Sequence, residues 1–268
     1  MKFMGSASTG GGETVKRFAF LLVCFLLLVS FACAQTVEDY FFVQGRIREM
    51  EEKYGVRILA GPEATILYTD YDLAVGEAAY EPTLFQRMLH YELDPEAEFL
   101  TTLNRLENAL GSYPAGFFDR FDPCLKIHLT GKISLKGGEG SVAGFCDAES
   151  GETRLYICVD ALPRTFHHEL WHALEIGGNL SFADWNSLNP EGFEYTDDPD
   201  IQYNFDDDWF YWYYSAMRPG EDRATVFEAL FMEDASWWDA HPHIRRKLDA
   251  MLEAAGLEQL SPEAVPDR

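Results

Sequence analysis

Basic residues are scarce in this chain: 21 Lys and Arg stand against 45 Asp and Glu, a formal charge of −24 over 268 residues. A surface of that sign repels phosphate backbones, which argues against nucleic acid as a partner. Cysteine is scarce too. The five present include no C-x-x-C pair, which argues against a cysteine-rich zinc site. There is no internal repeat, no domain linker and no EF-hand pattern, and long apolar runs are limited to one near the amino terminus. What is there is 47% apolar and 15% aromatic, the composition of a packed globule with enough length for one sizeable core.

The apolar run, Phe18 to Ala34, follows Lys16-Arg17 and a polar leader. Its length suits the core of a signal peptide and is short for a membrane span. Ala32-Cys33-Ala34 fits a small-x-small cleavage site that would leave Gln35 first; lipid anchoring at Cys33 and an uncleaved anchor are the alternatives. The expectation is therefore a leader over 1–34 and a single domain over 35–268, secreted or extracytoplasmic, touching a membrane only through that leader. Cys24 and Cys33 fall in the leader, so Cys124, Cys146 and Cys158 remain. The segments around Cys146 and Cys158 read as strands flanking a turn at 149–153, which predicts that these two cysteines face each other across a hairpin and pair.

The most informative stretch is Thr165-Phe-His-His-Glu-Leu-Trp-His-Ala-Leu-Glu175. Within it His168-Glu169-Leu170-Trp171-His172 fits H-E-x-x-H. On a helix, positions i and i+4 lie one above the other, so His168 and His172 can offer imidazole nitrogens to one Zn²⁺. Glu169 sits beside the first of them, placed to act on a metal-bound water. Pro163 suits a first turn and Gly177-Gly178 a stop, so a helix is expected from about Asp160–Pro163 to Gly177. Phe166, Leu170, Ala173 and Leu174 would form its apolar stripe; His168, His172 and Glu175 share another face. His167 falls off that face and reads as an ordinary polar residue.

Elsewhere, helical spacing predicts helices over 37–54, 82–89, 97–110, 219–232 and 242–255, and alternation predicts strands over 56–60 and 125–130. Residues 137–140 read as a flexible glycine turn. Between Phe182 and Tyr214 the chain is loop-like and aromatic, and its acidic stretches 197–200 and 206–208 read as solvated loop in preference to a calcium site. The fold class is α+β: a small mixed sheet packed on the motif helix over 35–178, then 179–268 with aromatic loops and helices that supply a third ligand.

A catalytic zinc site needs three protein ligands and an open position. Gly178 stands where a metzincin would need its third histidine, which removes that class. Glu221, in the first turn of the helix beginning Pro219-Gly-Glu-Asp-Arg-Ala, is the first candidate. Glu228, two turns on, is the second, and Glu194 of Glu194-Tyr-Thr-Asp-Asp198 the third, in a context where Pro190, Gly192 and Pro199 disfavour a helix.

His168-Glu-Leu-Trp-His172, Trp185-Asn-Ser-Leu-Asn-Pro-Glu-Gly-Phe193-Glu-Tyr195, Tyr214 and Glu221-Asp-Arg-Ala224 together resemble a bacterial family of zinc-binding metallopeptidases of the gluzincin type. Around the metal motif they also resemble the catalytic domain of anthrax lethal factor. The resemblance implies a zincin-like fold and one zinc ion held by His168, His172 and Glu221. It also implies Glu169 as the water-activating base and Tyr214 as a hydrogen-bond donor to the oxyanion. Thr225 departs from the pattern, since lethal-factor-like sequences carry a second glutamate there; Asp222 or Glu175 is the residue expected to serve in its place. The expected function is hydrolysis of peptide bonds in a protein or peptide substrate, with the segment Ser141 to Phe145 as an edge strand that aligns it. The alternatives are a non-catalytic zinc-containing secreted binding protein or adhesin, and an amidase acting on cell-wall peptides.

Overall fold

A computed structural model describes residues 42–60, 73–75, 95–131, 133–135, 141–148, 151–196 and 206–264. The leader, the helix expected over 82–89, the glycine turn at 137–140 and the acidic stretch 197–200 lie outside these residues. The chain divides into two compact units, Met1–Arg48 and Glu49–Arg268. The first is described only over 42–48, in helical conformation; that helix, α1, continues to residue 54. No helix among the described residues is long and apolar enough to cross a membrane.

The architecture is mixed α/β. One sheet has four strands in the order β1 (Arg57–Leu59), β3 (Leu125–Thr130), β7 (Thr153–Cys158) and β6 (Gly144–Asp147). β1, β3 and β7 run parallel, and β6 lies antiparallel to β7 at the edge. Side chains alternate along each strand. Leu125, Ile127 and Leu129 of β3 share one face with Leu155 and Ile157 of β7, and all five are fully buried. On that same face β7 and β6 lie against helix α3 (Arg164–Gly177). The opposite face carries His128 and Tyr156, stacked with ring centroids 4.5 Å apart. Ile133, Val142, Phe145 and Cys158 pack around Tyr156 there.

Ile133 and Val142 come from a second, antiparallel sheet in the order β2 (Leu73–Val75), β4 (Ile133–Leu135) and β5 (Ser141–Val142). The single strand expected over 141–145 is thus divided at Ala143: Ser141–Val142 joins the small sheet, and Gly144 onward forms the edge of the large one. The expected cysteine pair does not form, and Cys124, Cys146 and Cys158 are all free thiols. The register gives the reason. Cys146 stands opposite Leu155, three residues short of Cys158, and alternation sends the two thiols to opposite faces of the sheet.

The remaining helices are α2 (Pro95–Gly111), α4 (Pro219–Met232), α5 (Ala235–Ala240) and α6 (Pro242–Ala255). In α2, Leu103, Leu106 and Leu110 are fully buried, as their spacing predicts. Helix α5 starts on an Asp234 cap whose carboxylate accepts the Trp237 N–H at 2.9 Å. Helix α6 stops at Gly256, whose φ of 64° only glycine adopts at little cost. Its Ile244, Leu248, Met251 and Leu252 are buried, and it packs on α4.

Candidate metal centre

Helix α3 begins one turn later than the sequence suggests. Asp160 belongs to a short 3-10 turn (Val159–Ala161), and Pro163 caps α3, its carbonyl accepting the Phe166 N–H at 3.0 Å. The end falls at Gly178, as expected. Phe166, Leu170 and Ala173 are fully buried and Leu174 nearly so. This stripe fixes the rotation of α3 on the sheet, and rotation decides where His168 and His172 point.

Their partner is α4, which packs against α3. Pro219 stands in its first turn, where a missing N–H costs nothing, and Glu221 follows two residues later. The Glu221 Oε2 atom lies 3.1 Å from His168 Nε2 and 3.4 Å from His172 Nε2. One ligating atom from each of the three residues falls within 4.8 Å of the others. Two nitrogens and an oxygen at 2.0–2.1 Å from a tetrahedral zinc would stand about 3.3 Å apart, so both separations fit that ion. The donor set fits as well, because imidazole and carboxylate together suit zinc.

The other candidates separate cleanly. Glu228 is buried at 2% exposure and its Oε2 lies 3.3 Å from Nδ1 of His168, on the far side of the ring from Glu221. It therefore touches the ligand and faces away from the metal position. Glu194 sits in irregular chain and is not part of the cluster; Asp198 lies outside the described residues. The supporting carboxylate expected from Asp222 or Glu175 is neither. Asp222 is turned into a buried network, accepting from Tyr195 at 2.7 Å, Trp185 at 3.0 Å and Lys247 at 2.9 Å. Glu175 binds the guanidinium of Arg223 through both oxygens and accepts from Trp171 at 3.0 Å. Thr225 hydrogen-bonds Ser215 and the Asp222 carbonyl. Glu228 was legible as a residue on nearly the same helix face as Glu221; its role required the distance.

Glu169 is 7% exposed and lies against the edge strand. A Cβ placed on Gly144 would come within 2.8 Å of Glu169 Cγ and 2.3 Å of Thr165 Cγ2, so only glycine leaves room for the carboxylate there. Nothing in the local sequence signals this contact, since it joins residues 25 positions apart. His167 also departs from expectation. It is buried at 1% exposure, stacked on Phe231 with centroids 4.0 Å apart, and its Nδ1 is 2.7 Å from the Tyr113 hydroxyl. The Tyr214 ring lies beside the first histidine of the motif, its centroid 6.1 Å from that of His168.

Charge is concentrated here. Burial alone would hold His168 down, but hydrogen bonds to Glu221 and Glu228 outweigh it and raise its pKa to about 10. Burial pushes the Glu221 carboxyl up, yet the hydrogen bonds from His168 and His172 leave it well below the usual carboxylate range. Glu169 is pushed up by burial, against the lowering influence of both histidines. The Tyr214 hydroxyl is also raised, by burial and then by the charges of Glu221 and Glu169, which keeps it protonated and a donor. Three carboxylates about two imidazoles form a cluster to which a divalent cation is attracted.

Of the acidic loops, Asp206–Asp208 forms an exposed turn in which Asp206 accepts the Asp208 N–H at 3.0 Å. No family profile matches the chain, and no curated protein matches it. Among solved structures, the chain is similar to one described as a "putative zinc-binding metallo-peptidase" from Bacteroides caccae. The identity is 14% and the TM-score 0.47, with 85% of this chain and 89% of that chain covered.

Proposed function

We propose that this chain is a zinc-dependent metallopeptidase with a zincin-like catalytic domain, of the gluzincin type and similar around its metal motif to the lethal-factor catalytic domain. The observation that carries the reading is the meeting of His168, His172 and Glu221 ligating atoms within 4.8 Å, from two packed helices and 49 positions apart in sequence between His172 and Glu221. These three residues would hold one zinc ion. Bound there, zinc supplies Lewis acidity, polarising a carbonyl and lowering the pKa of water to about 7. Glu169, one residue from the first ligand and fixed against Gly144, accepts the proton of the attacking water and hands it to the departing amine. Tyr214 donates its O–H to the developing oxyanion. The substrate, a protein or peptide, adds along the outer edge of β6, which stands last in the order of the described strands and runs beside Glu169. The leader over 1–34 would deliver this activity outside the cytoplasm.

Glu169→Gln tests the assignment. The amide keeps the shape and cannot take the proton, so turnover of a peptide library should fall by at least ~100-fold with zinc content unchanged. Full activity in that variant would remove Glu169 from the mechanism. Turnover blocked by a hydroxamate would separate this reading from a non-catalytic zinc protein, and a cell-wall digest run beside the peptide library would separate it from a cell-wall amidase.

A further inference from the structure

Glu228 and Arg164 stand outside the mechanism above, yet both are tied to its first ligand. His168 presents Nε2 to Glu221 at 3.1 Å and Nδ1 to Glu228 at 3.3 Å, so one edge of the ring faces the metal position and the other a second carboxylate. Glu228 has a cation beside it: its Oε1 lies 3.1 Å from Nη1 of Arg164, a charge contact outside hydrogen-bond geometry. Arg164 begins α3 one turn before His168, on the same face. Its guanidinium lies 5.7 Å from the Tyr211 ring and 5.9 Å from the Trp212 ring, and its side chain is 47% exposed. A buried carboxylate of this kind would be costly without its two partners.

We infer that Arg164 and Glu228 are positioning residues that fix the orientation and tautomer of His168, with Nδ1–H donated to Glu228 and the Nε2 lone pair left for the metal. The chain rests on the metallopeptidase reading only for what binds at Nε2. The ring orientation follows from the contacts on its other edge. An imidazole free to turn about its Cβ–Cγ bond would present a ring nitrogen to the metal in only part of its orientations. A hydrogen bond to a carboxylate on the opposite edge removes that freedom and raises the basicity of the ligand. Arg164 in turn brings the positive charge that makes the Glu228 carboxylate tolerable inside the protein, and its attraction keeps that carboxylate beside His168.

Three variants, Glu228→Ala, Glu228→Gln and Arg164→Met, test this with two readouts on the folded protein. The first is zinc affinity by competition with a chromogenic chelator. Loss of a partner that orients a ligand costs about 10- to 100-fold in metal affinity, so Glu228→Ala should fall in that range. Glu228→Gln keeps an acceptor oxygen and should recover part of it. Arg164→Met, at a half-exposed position that leaves the core intact, should lose severalfold, and it carries the test where Glu228→Ala cannot be folded. The second readout is the His168 Nδ1–H resonance in protein prepared without metal. It should be protected from exchange in the wild type and in Glu228→Gln, and lost in Glu228→Ala. Equal zinc affinity in all four proteins, or an unprotected wild-type Nδ1–H, overturns the inference. A wild type that takes up no zinc but keeps a Glu228-dependent Nδ1–H resonance would overturn the metal reading and leave the positioning pair standing.

Discussion

At the scale of single residues, the site depends on what is missing as much as on what is present. Gly144 is the clearest case. Its backbone lies so close to α3 that an added Cβ would meet Thr165 Cγ2 at 2.3 Å and Glu169 Cγ at 2.8 Å. Neither neighbour is the free end of a flexible chain, because both are packed between helix and sheet. Gly144→Ala should therefore displace Glu169 while leaving His168, His172 and Glu221 in place. The expected result is a loss of peptide turnover with full zinc content, and about 1–3 kcal/mol of destabilisation from overpacking, read by denaturant unfolding. An alanine variant with wild-type turnover would show that the carboxylate is not held there. The same scale explains why His167 and His168, adjacent in sequence, have unrelated roles: a 100° step along the helix puts one on Phe231 in the core and the other at the metal position.

At the scale of elements, the large sheet carries a titratable group on the face turned away from α3. His128 of β3 is 1% exposed, stacked on Tyr156, and neither ring nitrogen has a hydrogen-bond partner among the described residues. Burial, and then the charges of Arg154 and Lys126, lower its pKa to about 4. In the unfolded chain the same group titrates near 6.5. Above about 6.5 both states hold it neutral. Between about 6.5 and 4 the unfolded chain takes up a proton that the native state refuses, so stability falls as pH drops through that window. His128→Phe keeps the stack and removes the proton site. Unfolding free energy compared at pH 7 and pH 4.5 should therefore decline less in the variant than in the wild type. Equal declines would assign the acid sensitivity to other groups.

Elements also divide what the sequence discloses from what it withholds. Strand β3, helix α4 and helix α6 occupy the spans that their apolar patterns predict, because each is long enough for a pattern to register; α6 buries one face, whereas β3 and α4 are buried nearly all round. Strands β2 and β4 have three residues each, and α5 has six, too few for any period to register. The cysteine pairing failed on a register that only strand alignment sets. The grouping of His168, His172 and Glu221 was readable from H-E-x-x-H spacing and a helix-leading glutamate, whereas the contacts of Gly144 and Glu228 span 25 and 60 positions of chain.

At the scale of the whole molecule, a formal charge of −24 sets the background. Much of it is surface charge, screened by salt, but part is gathered inside. Asp222 and Lys247 form a pair with no exposure of either side chain, and it joins α4 to α6 one residue after Glu221. The Glu175–Arg223 bridge joins α3 to α4 one residue further on. The first pair ties the start of α4 to α6 and the second ties it to the motif helix, so Glu221 is placed by the C-terminal half of the unit, and His168 and His172 by the packing of α3 on the sheet. A metal bound between them would bind the native state alone and stabilise it in proportion to the logarithm of its concentration over Kd.

The most direct measurement is therefore zinc content of the full chain by elemental analysis after exhaustive dialysis, wild type beside Glu221→Ala. The account expects one zinc per wild-type chain, and a folded variant that loses most of its metal, with the zinc-dependent rise in melting temperature abolished along with it. A wild type that holds no zinc even after the ion is added back would contradict it, and so would a Glu221→Ala variant that retains zinc as tightly as the parent.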